Sequence, residues 1–156
     1  MDRFKRFKRP FWETLFLKQN KYHTSSVIGH TLKVVYCLIK KGRWDLVPAG
    51  FLHDIAKPLS AYQDQEDIDD GLGFYSFKNH EAFGYHIIKN WYISDHTKNV
   101  VRYHYHIRGM KKAKEKGEYA KYRRLRKEWA KLNKNFKKDL SVFLVCDDQG
   151  KKGWFV

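Results

Sequence analysis

The stretch "AGFLHDIAKP", residues 49–58, places a histidine and an aspartate side by side at the end of an apolar run and follows them with a lysine. The pattern predicts a helix starting at Asp45, with Pro48 in the first turn, where its missing N–H is tolerated, and Pro58 closing it. His53 and Asp54 therefore sit where the chain enters a core. An unpaired charge in such a place is costly, so the pair needs a partner from elsewhere in the sequence.

Candidates for that partner recur along the chain. After Thr24 or Ser25 as cap, Ile28, Leu32, Val35 and Ile39 repeat at helical spacing, and His30 lies on the adjoining stripe with Val27, Val34 and Leu38. Asn79 is read as the cap of a helix with His80 in its first turn and Phe83, Ile87 and Trp91 on the same side. Asp95 is read as the cap of another, in which Val100 and Val101 turn His104 inward. His106 shares its face with Asn99, Arg102 and Tyr103 and is read as a rim histidine, while His23, His86 and His96 are read as structural or exposed. A last helix, "DLSVFLVCDD", brings Leu140, Phe143 and Leu144 onto the face of Asp147, with Asp148 as the competing acid. The acidic stretch 64–73, "DQEDIDDGLG", is read as a solvated loop near the end of the His53 helix.

The composition fits one domain, residues 1–156, with a real core: 42 % of residues are hydrophobic and 17 % aromatic. No apolar run approaches the roughly 20 residues that span a bilayer, so no membrane role and a cytoplasmic location are expected. The two cysteines, Cys37 and Cys146, sit in apolar helical patterns and are read as core thiols of a reducing compartment. The net charge of +15 points to a polyanionic partner. Residues 108–140 hold fourteen Lys or Arg against four Asp or Glu, so +10 of that charge is concentrated there. Tyr122, Leu125, Trp129 and Leu132 form an apolar stripe within the segment, which predicts an amphipathic basic helix able to contact RNA or DNA, or a plain solvated face. The basic N-terminal run "RFKRFKRPFW" repeats the same choice on a smaller scale.

Several buried imidazoles and carboxylates converging in one core are explained by a divalent cation, which compensates the acids and uses the imidazole lone pairs. One or two ions of Mn, Fe, Ni, Co, Zn or Mg suit such a ligand set. The order His30, His53-Asp54, His80, His104, Asp147 resembles the HD-domain superfamily of metal-dependent phosphohydrolases, carried by "SVIGHTLKVVYCLI", "AGFLHDIAKP", "FKNHEAFGYHII", "VVRYHY" and "CDDQGK". The run is especially similar to the HD domains of bacterial tRNA nucleotidyltransferases.

That resemblance implies an all-α bundle of five or more helices around a buried metal site, with the basic segment 108–140 as an insertion. It implies that His30, His53, Asp54 and Asp147 bind a first metal and that His80 and His104 serve a second, with Asp54 bridging. Asp54 and Lys57 are the expected catalytic residues; Lys57, Arg102 and Arg108 are the expected contacts to substrate phosphate. The implied activity is hydrolysis of a phosphomonoester or phosphodiester in a nucleotide, cyclic nucleotide or oligonucleotide through a metal-activated water. The alternatives are a diiron oxygenase on the same scaffold and a non-catalytic nucleic-acid binder with a structural metal. Ala56 replaces a glycine common in the family, and Lys57 stands where the nucleoside-5′-monophosphatase branch often has glutamate, which disfavours that branch.

Overall fold

The computed structural model describes residues 15, 16, 19, 23–63, 65–69, 71 and 73–152. The basic N-terminal run lies outside them. The described chain is the expected all-α bundle: α1 (Val27–Lys40), a 3₁₀ turn (Trp44–Leu46), α2 (Val47–Leu52), α3 (Lys57–Ser60), α4 (Gln65–Asp69), α5 (His80–Ile88), α6 (Asp95–Tyr103), α7 (His106–Glu115), α8 (Tyr119–Ala130) and α9 (Lys134–Gly150). Two short strands, β1 (Ala61–Tyr62) and β2 (Ser76–Phe77), pair antiparallel on either side of the acidic stretch 64–73 and bring its ends together, and within that stretch α4 stands where a loop is expected.

The central pair is α1 and α9, which pack along one another; α2 crosses α1, and α6 lies against α2 and α9. Ser26 caps α1 by accepting from the Gly29 N–H at 3.3 Å, and Asn133 caps α9 by accepting from the Phe136 N–H at 2.8 Å. The apolar core joins Val34 and Leu38 of α1, Ala49 of α2, Val100 and Val101 of α6, and Leu140 and Phe143 of α9. A methyl group on Gly50 would come within 2.9 Å of Leu38 Cδ1, so a glycine at that point lets α2 approach α1 closely.

Several local expectations are corrected. On α1 the buried stripe is the one with His30; Ile28 and Leu32 are 38 % and 49 % exposed. On α5 the inward residues are His80, Gly84 and Ile88, whereas Phe83 is partly exposed and Trp91 lies beyond the helix end. Ser94, not Asp95, caps α6, its hydroxyl accepting from the Thr97 N–H at 3.1 Å. Pro58 opens α3 rather than closing the helix before it, because α2 ends at Leu52 and residues 53–56 form a turn. A proline fits the first turn of a helix as well as it blocks the interior of one.

The basic segment takes in most of α7, all of α8 and the start of α9, and α7 and α8, broken at Gly117 (φ +69°), pack on each other. His106 is buried there instead of lying at a rim: its Nε2 is 2.8 Å from the Leu125 carbonyl, and its ring stacks on Trp129. Cys37 and Cys146 are buried as expected, yet they are joined in a disulfide rather than free. The close packing of α1 on α9 is the reason, since it brings the two Cα atoms within 5.4 Å, inside the range a disulfide spans. No helix among the described residues is long and apolar enough to cross a membrane.

Candidate metal centre

Six side chains from five places in the chain meet in the middle of the bundle: His30 from α1, His53 and Asp54 from the turn after α2, His80 from the start of α5, His104 just past α6, and Asp147 from α9. All six are buried. The turn after α2 is what lets His53 and Asp54 face the same interior, because neighbouring residues within a continuous helix diverge. Asn79, in the left-handed region at φ 59°, bends the chain so that His80 enters the core at the first position of α5.

Asp54 lies at the hub. Its Oδ2 is 3.1 Å from His53 Nε2 and 3.5 Å from His30 Nε2, while its Oδ1 faces His80 Nε2 at 3.4 Å. Asp147 Oδ1 is 2.8 Å from His30 Nε2 and 3.9 Å from His53 Nε2. Two groups able to hold a cation result, His30–His53–Asp54 and Asp54–His80–His104, sharing the Asp54 carboxylate. Asp148, the competing acid, is half exposed and pairs with Arg108 and Lys151 instead.

The tautomers follow from the outer contacts. The Nδ1 atoms of His53, His80 and His104 lie 2.7, 3.0 and 2.7 Å from the carbonyls of Gly50, Phe77 and Val101. A carbonyl only accepts, so each Nδ1 carries the proton and each neutral ring turns a bare Nε2 inward. His80 and His104 then oppose two bare Nε2 atoms at 3.2 Å, whereas His30 Nε2, 3.3 Å from that of His53, has the Asp147 carboxylate 2.8 Å away to receive its proton. Facing lone pairs at that distance repel unless a proton or cation lies between them. Asp54 Oδ2 adds to the case: it is buried and has no hydrogen bond of normal geometry, although Lys57 Nζ sits 2.7 Å away. The donor set thus fits a divalent ion, with carbonyl-tethered imidazoles as commonly support metal ligands.

Electrostatics point the same way. Burial drives the His104 imidazole down to about 3, with His80 and His53 adding to the effect. Burial likewise pushes His80 and His30 below the usual histidine value. His53 is shifted up, because Asp54 beside it outweighs the burial that disfavours its charge. Burial also opposes charge on the two acids, yet His53 and Lys57 hold Asp54 well below the usual carboxylate range, and His30 and Arg108 do so for Asp147. Both acids are therefore ionised, and most of the rings offer lone pairs, at neutral pH.

The expected phosphate contacts are placed differently from one another. Lys57 is buried and held between Asp54 and Gln19 Oε1, to which it donates at 2.6 Å. Arg108 donates to Asp147 Oδ2 and, at 2.5 Å, to Asp148 Oδ1, so it braces the acid from outside. Arg102 lies at the surface with its guanidinium over the rings of Tyr85 and Tyr103.

Three contributors escape sequence reasoning. Gln19 carries no motif. His23 packs its ring edge-on against His30 with centroids 5.2 Å apart, and burial pushes its pKa down to about 2. Gly150 leaves room for the His30 ring: a Cβ there would lie 3.0 Å from His30 Nδ1. The spacing of Gly150 three residues after Asp147 was the available signal for the last of these.

Among known families, the model described as HD domain matches residues 27–140, a span that includes His30, His53, Asp54, His80 and His104. Comparison with curated proteins gives no match, and comparison with solved structures gives none.

Proposed function

Because this chain belongs to the HD-domain family, we propose that its buried ring of imidazoles and carboxylates is the active site of a divalent-metal-dependent phosphohydrolase. The substrate class we assign is a phosphomonoester or phosphodiester in a nucleotide, cyclic nucleotide or oligonucleotide. The observation that carries this reading is the convergence of the His30, His53 and His80 Nε2 atoms on the buried Asp54 carboxylate, with the bare Nε2 atoms of His80 and His104 opposed at 3.2 Å.

In this reading His30, His53, Asp54 and Asp147 would hold one ion, and His80 and His104 would hold a second together with the shared Asp54. A divalent ion bound there supplies an electrophile for phosphoryl oxygens and makes water acidic enough to be a nucleophile near neutral pH. The chain's own residues do the rest. The carbonyls of Gly50, Phe77 and Val101 fix the ring orientations, and Arg108 keeps Asp147 aimed inward. Lys57, 2.7 Å from Asp54 Oδ2, holds that carboxylate in place and offsets charge on the phosphate. Arg108 and, further out, Arg102 are the cations that flanking phosphates meet. Residues 108–140 are an insertion within one HD domain. The likeness of the motifs to the HD domains of tRNA nucleotidyltransferases supports a nucleotide-bearing substrate.

The histidine-rich group around His80 and His104 also suits a pair of iron ions, and an oxygenase is the second reading. Elemental analysis of the purified protein, followed by phosphate-release assays on nucleotides, cyclic nucleotides and short RNA or DNA with each metal added back, tests both. His53→Ala and Asp54→Asn are expected to abolish release and lower metal content. Oxygen uptake by the iron form with no phosphate release would replace the hydrolase reading with the oxygenase one. Full metal retention and activity in both variants would reject the site itself.

A further inference from the structure

Away from the histidine cluster, the face built by α8 and the start of α9 has no task in the reaction. On α8, Lys121, Arg123, Arg124, Arg126 and Lys127 are exposed, and Tyr119 at its first position is 62 % exposed. The apolar side of the same helix is turned inward: Leu125 lies against Gly109 of α7, and Trp129 stacks on the buried His106. That leaves a charged outer side without an apolar stripe that could enter a lipid layer. Beside it opens a cleft of about 640 Å³ between α6 and the start of α9, lined by His96, Asn99, Tyr103, Lys131, Lys134 and Phe136 among others. Its one acid, Asp139, is already compensated by Arg43, whose Nη2 donates to it at 2.6 Å.

Cations that follow a helix, an exposed aromatic ring, and a cleft with amides, lysines and ring edges are the parts of a single-strand grip. A volume of 640 Å³ is ordinary for a small-ligand pocket, roughly 300–1,000 Å³, and admits one nucleotide, whereas the stacked bases of a duplex could not enter. We propose that this face binds single-stranded nucleic acid, with one nucleotide seated in the cleft between Lys131, Lys134, Tyr103 and Phe136 and the neighbouring phosphates running along α8. The proposal is independent of the hydrolase reading, since none of these residues touches the buried cluster.

The test is fluorescence anisotropy with 5′-labelled 16-nucleotide oligo-U and oligo-dT, and with a duplex of equal length, in the presence of chelator so that turnover plays no part. The single strands are expected to bind more tightly than the duplex, with an affinity that falls steeply as salt rises. Lys131→Glu with Lys134→Glu is expected to weaken binding at least tenfold and to flatten the log–log salt slope by about 0.7 for each phosphate that is no longer neutralised. Tyr119→Ala is expected to weaken it about five- to a hundredfold, the range for removing one stacking platform. Lys78→Glu with Lys152→Glu, two exposed lysines just after β2 and past the end of α9 that do not line the cleft, should leave binding unchanged. The proposal is overturned if the duplex binds as well as the single strands, if the cleft double variant binds like the parent, or if the Lys78/Lys152 control weakens binding equally. Retention on vesicles containing one-third phosphatidylserine without binding to either oligonucleotide would also overturn it.

Discussion

Gly150→Ala gives a direct measure of how tightly α9 is fitted to the site. The added methyl would lie 2.8 Å from Val34 Cγ2 and 3.0 Å from His30 Nδ1, and both neighbours are fully buried with nowhere to retreat. Overpacking of this kind costs about 1–3 kcal/mol. Replacing a helical glycine by alanine returns about 0.5–1 kcal/mol of backbone entropy. The clash therefore outweighs the gain, and a net loss centred on about 1 kcal/mol, and of at most about 2.5 kcal/mol, is expected in urea unfolding of the metal-free protein. Gly109→Ala is the matched control, because its nearest neighbour, Leu125 Cδ1, would be at an ordinary 3.5 Å. That variant keeps the entropy gain and should be neutral or more stable. Because the clash falls on the His30 ring, Gly150→Ala should also lower the metal content measured by elemental analysis, and Gly109→Ala should not. A Gly150→Ala protein as stable as the parent, with full metal content, would refute the packing argument.

Two further outcomes follow from buried groups. His104 has a folded pKa of about 3, below the ~6.5 of an unfolded histidine, so the unfolded chain binds the extra proton between these values and stability is lost as pH falls below ~6.5. At pH 5 this amounts to about 2 kcal/mol, with His30 and His80 adding in the same direction and His53 opposing; urea unfolding at pH 7.5 and 5.0 should show a shallower pH dependence in His104→Gln, and an unchanged one would sink the assignment. The disulfide closes a separation of 109 residues, so Cys37→Ser, or reductant added to the oxidised protein, should cost about 2–5 kcal/mol, and a melting midpoint indifferent to reductant would show the link contributes nothing.

Much of the site was readable because its donors are rare in cores. His53 and Asp54 stand out as charge at the end of an apolar run, and His30 and His104 each follow apolar residues at helical spacing. The less readable features depend on three-dimensional approach. On α1, two stripes are equally apolar in sequence, and only packing against α9 selects the one with His30 for burial. His106 looked like a rim residue because its cover, Trp129 and the Leu125 carbonyl, comes from a helix 19 or more residues away. Pro58 reads identically as a stop or a start. Gln19 has no periodic or motif signal, since its role rests on hydrogen bonds with Lys57 and the Ser25 carbonyl. The disulfide was missed for the same reason: nothing in two apolar helices reveals that they touch at their cysteines.

The wall that α9 contributes has a bearing on how the protein is made. His30, His53 and Asp54 emerge from the ribosome long before Asp147, and the core partners Leu140 and Phe143 emerge with it. Until that last helix arrives, the early helices carry imidazoles and an aspartate that no apolar neighbour can cover, so they cannot settle as a finished unit during synthesis. Completion of the cluster and completion of the fold are then one event, and under the proposed ligand set an ion would meet Asp147 together with the histidines only after translation has passed the end of α9.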